Sequence, residues 1–194
     1  LLTIDEEAGM TGAFGLEPGL LHGEILLNTD SEQDGEVYMG CAGGIDANIH
    51  FDFTAEAIPS GWQAYQLQVK GLRGGHSGCN IHEDRGNANK LLARLLLTLS
   101  QQLPLRLSHI EGGTLRNAIP REAQALLLVP ADQGAELATR LEQHAALLRQ
   151  ELSEVDSNLQ ILLQDAAQPA TCLDSDTQSR QLAALVACPN GVIR

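Results

Sequence analysis

The stretch that decides the fold is Tyr65-Gln66-Leu67-Gln68-Val69-Lys70-Gly71-Leu72-Arg73-Gly74-Gly75-His76-Ser77-Gly78. In its first half apolar and polar residues alternate, which predicts a β-strand with one buried and one solvated face. Its second half places four glycines and one histidine within eight residues. Glycine accepts positive φ and close approach of other groups, so this loop is suited to carry the His76 side chain to a site. A plain turn with a solvent-exposed histidine is the alternative.

Helix and strand patterns alternate after this loop. In chain order the predicted segments are strand 65–70, helix 91–99, strand 105–110, strand 122–129, helix 132–152 and strand 159–163. The order β-α-β-β-α-β predicts an α+β, ferredoxin-like domain, in which a four-stranded antiparallel sheet carries two helices on one face. Asp132 is the predicted N-cap of the second helix, and a further helix is predicted over 174–188.

Residues 1–45 have an α/β pattern instead. Apolar segments predict short strands at 1–4, 25–27 and 36–39, with a helical turn reaching about Leu16. A glycine-rich joint at 40–44 predicts a domain boundary, and alternation resumes in a strand at 49–53. We therefore expect three parts, which are 1–45, 46–168 and 169–194. The chain starts inside a strand pattern and stops just after a turn signal, so we expect a fragment of a longer protein.

Charge and cysteine usage limit the partners and the compartment. The 194 residues carry a net charge of −13, which would repel nucleic acid and anionic membranes. The four cysteines form no CxxC pair, as is typical of reduced thiols in a cytosolic protein. No apolar run is long enough to span a bilayer and no signal peptide is present. These features predict a cytoplasmic protein.

Carboxylates collect at the ends of the first two predicted strands. Glu6 and Glu7 follow the first strand, backed by Asp5, and Asp30 follows the second. Adjacent carboxylates repel one another, and a bound cation such as Zn²⁺, Mn²⁺ or Mg²⁺ would relieve that repulsion. A solvated helix start for Glu6 and Glu7, and an ordinary turn for Asp30, are the alternatives.

Two loops carry hydrogen-bond donors. His76 lies in the glycine loop, and Arg116 and Asn117 lie in a second glycine-containing loop, 112–120. Such side chains can donate to a substrate carboxylate or to the oxyanion of a tetrahedral intermediate. A turn residue and a surface charge are the alternatives for Asn117 and Arg116.

Five motifs in this order resemble the M20 family of di-zinc peptidases, and most closely its Xaa-His (aminoacyl-histidine) dipeptidase branch. They are Thr3-Ile4-Asp5-Glu6-Glu7-Ala8-Gly9, Asn28-Thr29-Asp30-Ser31-Glu32, Gly40-Cys41-Ala42-Gly43-Gly44, Gly74-Gly75-His76-Ser77-Gly78 with Gly86-Asn87-Ala88-Asn89-Lys90, and Gly113-Thr114-Leu115-Arg116-Asn117-Ala118-Ile119-Pro120. The resemblance covers essentially the whole chain. It implies that 1–45 is part of a catalytic domain, that 46–168 is an inserted lid or dimerisation domain, and that 169–194 returns toward the catalytic domain.

The resemblance also implies roles for individual residues. Glu6 matches the general base that deprotonates a metal-bridging water, and Glu7 and Asp30 match ligands of two zinc ions, with Mn or Co possible in their place. His76 matches a lid histidine that, in dimeric relatives, reaches the partner subunit's active site and stabilises the oxyanion. Asn117, and with a weaker match Arg116, correspond to substrate-binding positions.

The sequence departs from the family pattern at several metal-binding and loop positions. The family's upstream His-x-Asp, its bridging Asp and its final metal-binding His are absent from this chain, and Cys79 stands where a glycine is expected. We therefore expect the chain alone to bind zinc poorly and to be inactive, while its parent is a homodimeric metallo-dipeptidase acting on small dipeptides such as β-alanyl-histidine. A non-catalytic association module, or another M20 branch such as a tripeptidase or an N-acyl amino acid deacylase, stays open.

Overall fold

The structure is a computed structural model that describes residues 1–6, 9–30, 33–40, 45 and 47–189. The chain divides into two units, Leu1–Ile49 and His50–Arg194. The predicted division into 1–45, 46–168 and 169–194 stays a prediction, and most of the predicted joint at 40–44 lies outside the described residues. No helix within the described residues has the length and apolarity needed to cross a membrane.

The first unit contains one short helix among its described residues, α1 (Thr11–Phe14). The strand predictions are wrong for the segments 1–4, 25–27 and 36–39. Their apolar side chains are solvated, since Leu2 is 98% and Leu26 85% exposed. A strand needs a neighbouring strand to take up its backbone hydrogen bonds, and the described part of this unit supplies none.

The second unit is built around a four-stranded sheet. Its elements in chain order are β1 (Ala55–Ala57), β2 (Trp62–Lys70), β3 (Gly75–His76), a 3₁₀ turn (Ile81–Glu83), α2 (Ala88–Gln102), β4 (Arg106–Gly112), β5 (Ala118–Ile119), β6 (Ala123–Pro130), a 3₁₀ turn (Ala131–Gln133), α3 (Gly134–Glu151), β7 (Gln160–Asp165), β8 (Thr171–Leu173) and α4 (Ser175–Ala187). The sheet order is β4-β6-β2-β7, and every neighbouring pair is antiparallel. This confirms the predicted β-α-β-β-α-β order and the ferredoxin-like class.

The main core lies between this sheet and its helices. Alternate residues of β2, namely Tyr65, Leu67 and Val69, are buried in the same cluster as the apolar residues of α2 and α3. Ala64, which precedes Tyr65 and faces the opposite way, belongs to a second, smaller cluster, so the two faces of the sheet are buried separately. The largest helix side chains that are fully or almost fully buried in the main cluster are Leu92, Leu95, Leu96 and Leu99 of α2, Leu137 of α3 and Leu182 of α4.

The two helices of the ferredoxin-like unit begin in different ways. Helix α2 begins after Asn87, whose side chain accepts a hydrogen bond from the Lys90 backbone N–H at 3.2 Å, so it is capped as polar N-caps usually are. The prediction of Asp132 as the N-cap of α3 is wrong, because Asp132 lies in a preceding 3₁₀ turn and α3 begins at Gly134. A Cβ at Gly134 would lie 2.2 Å from the Tyr65 Oη. Helix α3 therefore begins at a glycine, and the lack of a side chain allows this residue to lie directly against Tyr65 of β2.

One carboxylate ends the small β1–β8 ladder and begins α4. Asp174 accepts hydrogen bonds from the backbone N–H of Thr177 at 2.8 Å and of Thr54 at 3.0 Å. These bonds stabilise the ionised form and lower the pKa of Asp174 to about 2. The predicted helix over 174–188 is confirmed as Ser175–Ala187. The strand predicted at 49–53 is wrong. Strand β8 ends at Leu173, which pairs with Ala55, and the next residue, Asp174, caps α4 instead of extending the ladder.

Candidate functional site

A two-residue ladder brings the two predicted loops together. Strand β3 pairs antiparallel with β5, so that Gly75 lies opposite Ile119 and His76 lies opposite Ala118. The Ser77 backbone N–H then donates to the Asn117 carbonyl oxygen at 2.8 Å. The loop that carries His76 and the loop that carries Arg116 and Asn117 are therefore one structural feature. Their joining supports the interpretation of both as parts of one site.

The glycines of the first loop are required by their surroundings. Gly74 has a φ of +63° and Gly75 a φ of +151°, values that side-chain-bearing residues rarely adopt. A Cβ at Gly74 would lie 2.4 Å from the Arg121 Cγ, and one at Gly75 would lie 2.6 Å from an Arg85 Nη1. The backbone therefore runs directly against two arginine side chains.

The imidazole of His76 is oriented by its own loop. Its Nδ1 accepts hydrogen bonds from the backbone N–H of Gly78 at 3.0 Å and of Cys79 at 3.2 Å. A nitrogen that accepts carries no proton, so these bonds assign the neutral ring the tautomer with its proton on Nε2. The side chain is exposed. The site thus presents an N–H donor at an accessible position without requiring a charged imidazole.

A cavity of about 800 Å³ adjoins this pair of loops. Its polar lining includes Ser77 from the first loop, Thr114 and Arg116 from the second, and Asn87 and Asn89 at the start of α2. Arg116 is the one charged side chain among the described lining residues. A cavity with amide, hydroxyl and guanidinium groups can hold a small, polar ligand that bears a carboxylate.

The predicted acidic residues lie in the other unit. Glu6 is exposed in a turn that follows Asp5, a residue with a φ of +59°. Asp30 is exposed, and its backbone N–H donates to the Asn28 Oδ1 at 2.9 Å. This bond is typical of an Asx-turn. Glu7 lies outside the described residues. No group of three or more His, Cys, Asp and Glu side chains that could hold a metal ion is found in the described part of the chain.

Four residues near the glycine loop have roles that the sequence analysis missed. Asn80, Glu83 and Arg85 are linked to one another and to the backbone of the loop by hydrogen bonds. Asp156, which is 2% exposed, accepts hydrogen bonds from the backbone N–H of Arg73 and of Gly86, both at 2.6 Å. The dense spacing of polar residues directly after the glycines was a signal for the first three. An aspartate between a helix and a strand gives no such signal.

The chain is similar in sequence to a known protein family. Residues 67–156 match the family described as the M20 peptidase dimerisation domain. The matched region begins inside β2 and includes the sheet strands β4 and β6, both connecting helices and both loops of the candidate site.

Two relatives align with the chain along its whole length. The cytosol non-specific dipeptidase of Escherichia coli (strain K12) is 50% identical over 196 residues, an alignment that covers 100% of this chain and 40% of that protein. The crystal structure of an aminoacylhistidine dipeptidase from Vibrio alginolyticus is 55% identical with a TM-score of 0.83, and the match covers 100% of this chain and 39% of that one. The chain thus spans about two fifths of the length of the relatives it matches.

Proposed function

We propose that this chain, whose residues 67–156 match the M20 peptidase dimerisation domain, is part of a dipeptidase that hydrolyses small unblocked dipeptides, Xaa-His dipeptides among them. The observation that carries the proposal is the β3–β5 ladder, which joins the loop of His76 to the loop of Asn117. That pairing occurs in a chain that aligns throughout with two dipeptidases. In this reading 1–45 belongs to the catalytic domain, 46–168 is the lid and 169–194 leads back toward the catalytic domain.

The proposed roles use donors and acceptors on separate units. The Nε2–H of His76 donates to the oxyanion that forms when water attacks the scissile carbonyl, because the proton is already on that nitrogen. Asn117, and with it Arg116, binds the dipeptide beside the cavity. Glu6 is the general base that accepts the proton of the attacking water.

The proposed metal is zinc, at two ions in each subunit of the parent, with Mn or Co as substitutes. Glu7 and Asp30 are the proposed ligands from this chain. The described residues do not fit a metal site by themselves, because no group of three suitable side chains is found among them. First-row metals need three or four protein ligands, so we propose that the remaining ligands come from the parent.

Titration of this chain with Zn²⁺ is expected to show only weak binding, because the chain supplies fewer than the three or four protein ligands of a zinc site. Isothermal titration calorimetry measures it, and Asp30→Asn serves as the matched variant. Tight binding of two ions per chain would contradict the proposal that the ligand set is incomplete. A loss of that binding in Asp30→Asn would then show that the chain itself forms the site.

The proposed assembly is a homodimer formed through residues 67–156, in keeping with the description of the matched family. The proposed compartment is the cytoplasm, because the name of one relative describes it as a cytosol protein. The net charge of −13 disfavours nucleic acid and anionic membranes as further partners.

The proposed activity is tested with the longer parent protein, supplied with Zn²⁺ or Mn²⁺. We expect hydrolysis of β-alanyl-histidine and of a dipeptide without histidine, each with a kcat/KM at least about 100-fold above that for a tripeptide or an N-acyl amino acid. A chelator is expected to abolish the activity, and added metal to restore it. Preference for the tripeptide or for the N-acyl amino acid would assign another M20 branch. Inactivity on all four substrates would leave the association module as the better reading.

A further inference from the structure

We propose that Asn80, Glu83 and Arg85 form a positioning network that holds the His76 loop in the conformation in which the imidazole donates from Nε2. The network consists of residues that the proposed function does not use, and the inference rests on that function only in the role it gives to His76. We refer to these three side chains, with the backbone groups they bind, as the loop ring.

The first half of the loop ring connects the backbone of His76 to a carboxylate. The His76 backbone N–H donates to the Asn80 Oδ1 at 2.9 Å, and the Asn80 Nδ2 donates to the Glu83 Oε1 at 2.7 Å. The Asn80 backbone N–H also donates to the His76 carbonyl oxygen at 2.9 Å. His76 is therefore held by both of its backbone polar groups, through a residue four positions further along the chain.

The second half returns from the carboxylate to the loop. Arg85 donates to the Glu83 Oε2 from Nη2 at 2.6 Å and from Nε at 2.9 Å. Its Nη1 donates to the Gly74 carbonyl oxygen at 2.5 Å. The guanidinium thus uses three of its donors at once, and its planar, fixed geometry makes this arrangement specific to arginine.

Burial and packing separate this ring from an ordinary surface ion pair. The Arg85 side chain is only 14% exposed and that of Glu83 is 34% exposed. Hydrogen bonds from Asn80 and then from Arg85 hold the pKa of Glu83 below its usual value. A Cβ at Gly75 would lie 2.6 Å from the Arg85 Nη1 and 2.8 Å from the Asn80 Oδ1, so the ring lies directly against the loop backbone.

The ring and the imidazole act on the same short segment. The ring fixes the backbone from Gly74 to Asn80, and the Nδ1 of His76 accepts from two N–H groups within that segment, those of Gly78 and Cys79. If the segment changes its conformation, these two donors move away from Nδ1 and the tautomer is no longer fixed. A shift of the donor by about 1 Å can cost up to 100-fold in rate.

Reversing the polarity of one bond in the ring provides the test. Asn80→Asp places two carboxylates against each other, whereas Asn80→Asp combined with Glu83→Gln restores one donor and one acceptor with the original net charge. The exchanged pair can still accept from the His76 N–H and from Arg85. The matched control is Asp84→Asn, which removes a charge from an exposed residue of the same turn and keeps a side chain that tolerates the φ of +54°.

The first readout uses the whole of this chain and does not depend on activity. Amide hydrogen exchange of His76 and the ¹⁵N shifts of its ring report the bond to Asn80 and the tautomer. We expect the Nε2–H tautomer in the wild type. In Asn80→Asp we expect at least about 10-fold faster exchange with mixed tautomers, and in the double variant a return to within about threefold of wild type. Unchanged exchange in Asn80→Asp, or no recovery in the double variant, would overturn the loop ring.

The second readout separates the ring from the proposed function. In the parent protein we expect Asn80→Asp to lower kcat about 10-fold with little change in KM, and the double variant to recover it. A normal kcat in Asn80→Asp, in spite of lost protection at His76, would leave the ring standing and overturn the role proposed for the imidazole. A rise in KM with an unchanged kcat would show that the loop serves substrate binding, which overturns the positioning of an oxyanion donor.

Discussion

Replacing His76 by alanine in the parent protein is expected to lower kcat about 100- to 1000-fold, with KM within about threefold of wild type. The reason is that the Nε2–H would stabilise charge that develops only in the transition state. The Nδ1 of this ring already accepts from Gly78 and Cys79, so the donor needs no rearrangement when the oxyanion forms. Steady-state kinetics with β-alanyl-histidine and saturating metal measure the effect.

A second histidine on the same loop provides the control. His82 lies in the 3₁₀ turn that follows the glycines and its side chain is exposed. His82→Ala is expected to leave kcat within about threefold, as is usual for surface substitutions away from a site. If the His76 variant raised KM and left kcat unchanged, the imidazole would bind the ground state and the proposed oxyanion role would be wrong.

The subunit in which His76 acts is tested by mixing two inactive variants. A His76→Ala subunit retains Glu6, and a Glu6→Gln subunit retains His76. If the histidine acts on the partner's site, random pairing makes half of the dimers mixed, and each mixed dimer has one intact site of two. Activity should then return to about a quarter of wild type. Without return, the histidine would act within its own subunit.

The sheet strands and helices of the ferredoxin-like part could be predicted because each of them leaves a pattern of apolar residues in its own segment of the sequence. The alternation in β2 and the leucine spacing in α2 reflect which side chains are buried against each other, and the structure buries them as the pattern indicates. The strands predicted in residues 1–45 rested on short apolar runs alone. A short apolar run becomes a strand only if another strand lies beside it, and its sequence cannot say whether that neighbour is available.

The sequence suggested candidate site residues by their type, but it did not suggest how they are arranged. Glycines around His76 marked a special backbone, and the structure shows what surrounds it, namely Arg85 and Arg121. The pairing of β3 with β5 has no periodicity to detect, because two residues on each side make no pattern. The roles of the predicted site residues stay predictions, namely those of Glu6, Glu7, Asp30, His76, Arg116 and Asn117.

Asp156 shows most clearly what the sequence could not reveal. It lies in a turn between α3 and β7, where aspartate is common, yet it is 2% exposed. Its two carboxylate oxygens accept from Arg73 and Gly86, which lie on either side of the segment that carries His76. A buried charge is tolerated here because backbone N–H groups compensate it. Asp156 therefore binds both ends of the segment that carries His76, and the loop ring holds the backbone within that segment.

Removing this carboxylate is expected to lower the free energy of unfolding by about 3 kcal/mol, since Asp156→Ala leaves the buried N–H of Gly86 and the part-buried N–H of Arg73 without the charged acceptor that each now has. Urea denaturation followed by the fluorescence of Trp62, the one tryptophan of the chain, measures it, because that residue begins β2. Asp156→Asn should cost less, as an amide oxygen can still accept from one N–H group while its NH₂ opposes the other. Glu154→Ala, two residues away and exposed, should stay within about 0.5 kcal/mol of wild type. A loss below about 1 kcal/mol for Asp156→Ala would mean that water replaces the carboxylate and that the loop base is open to solvent.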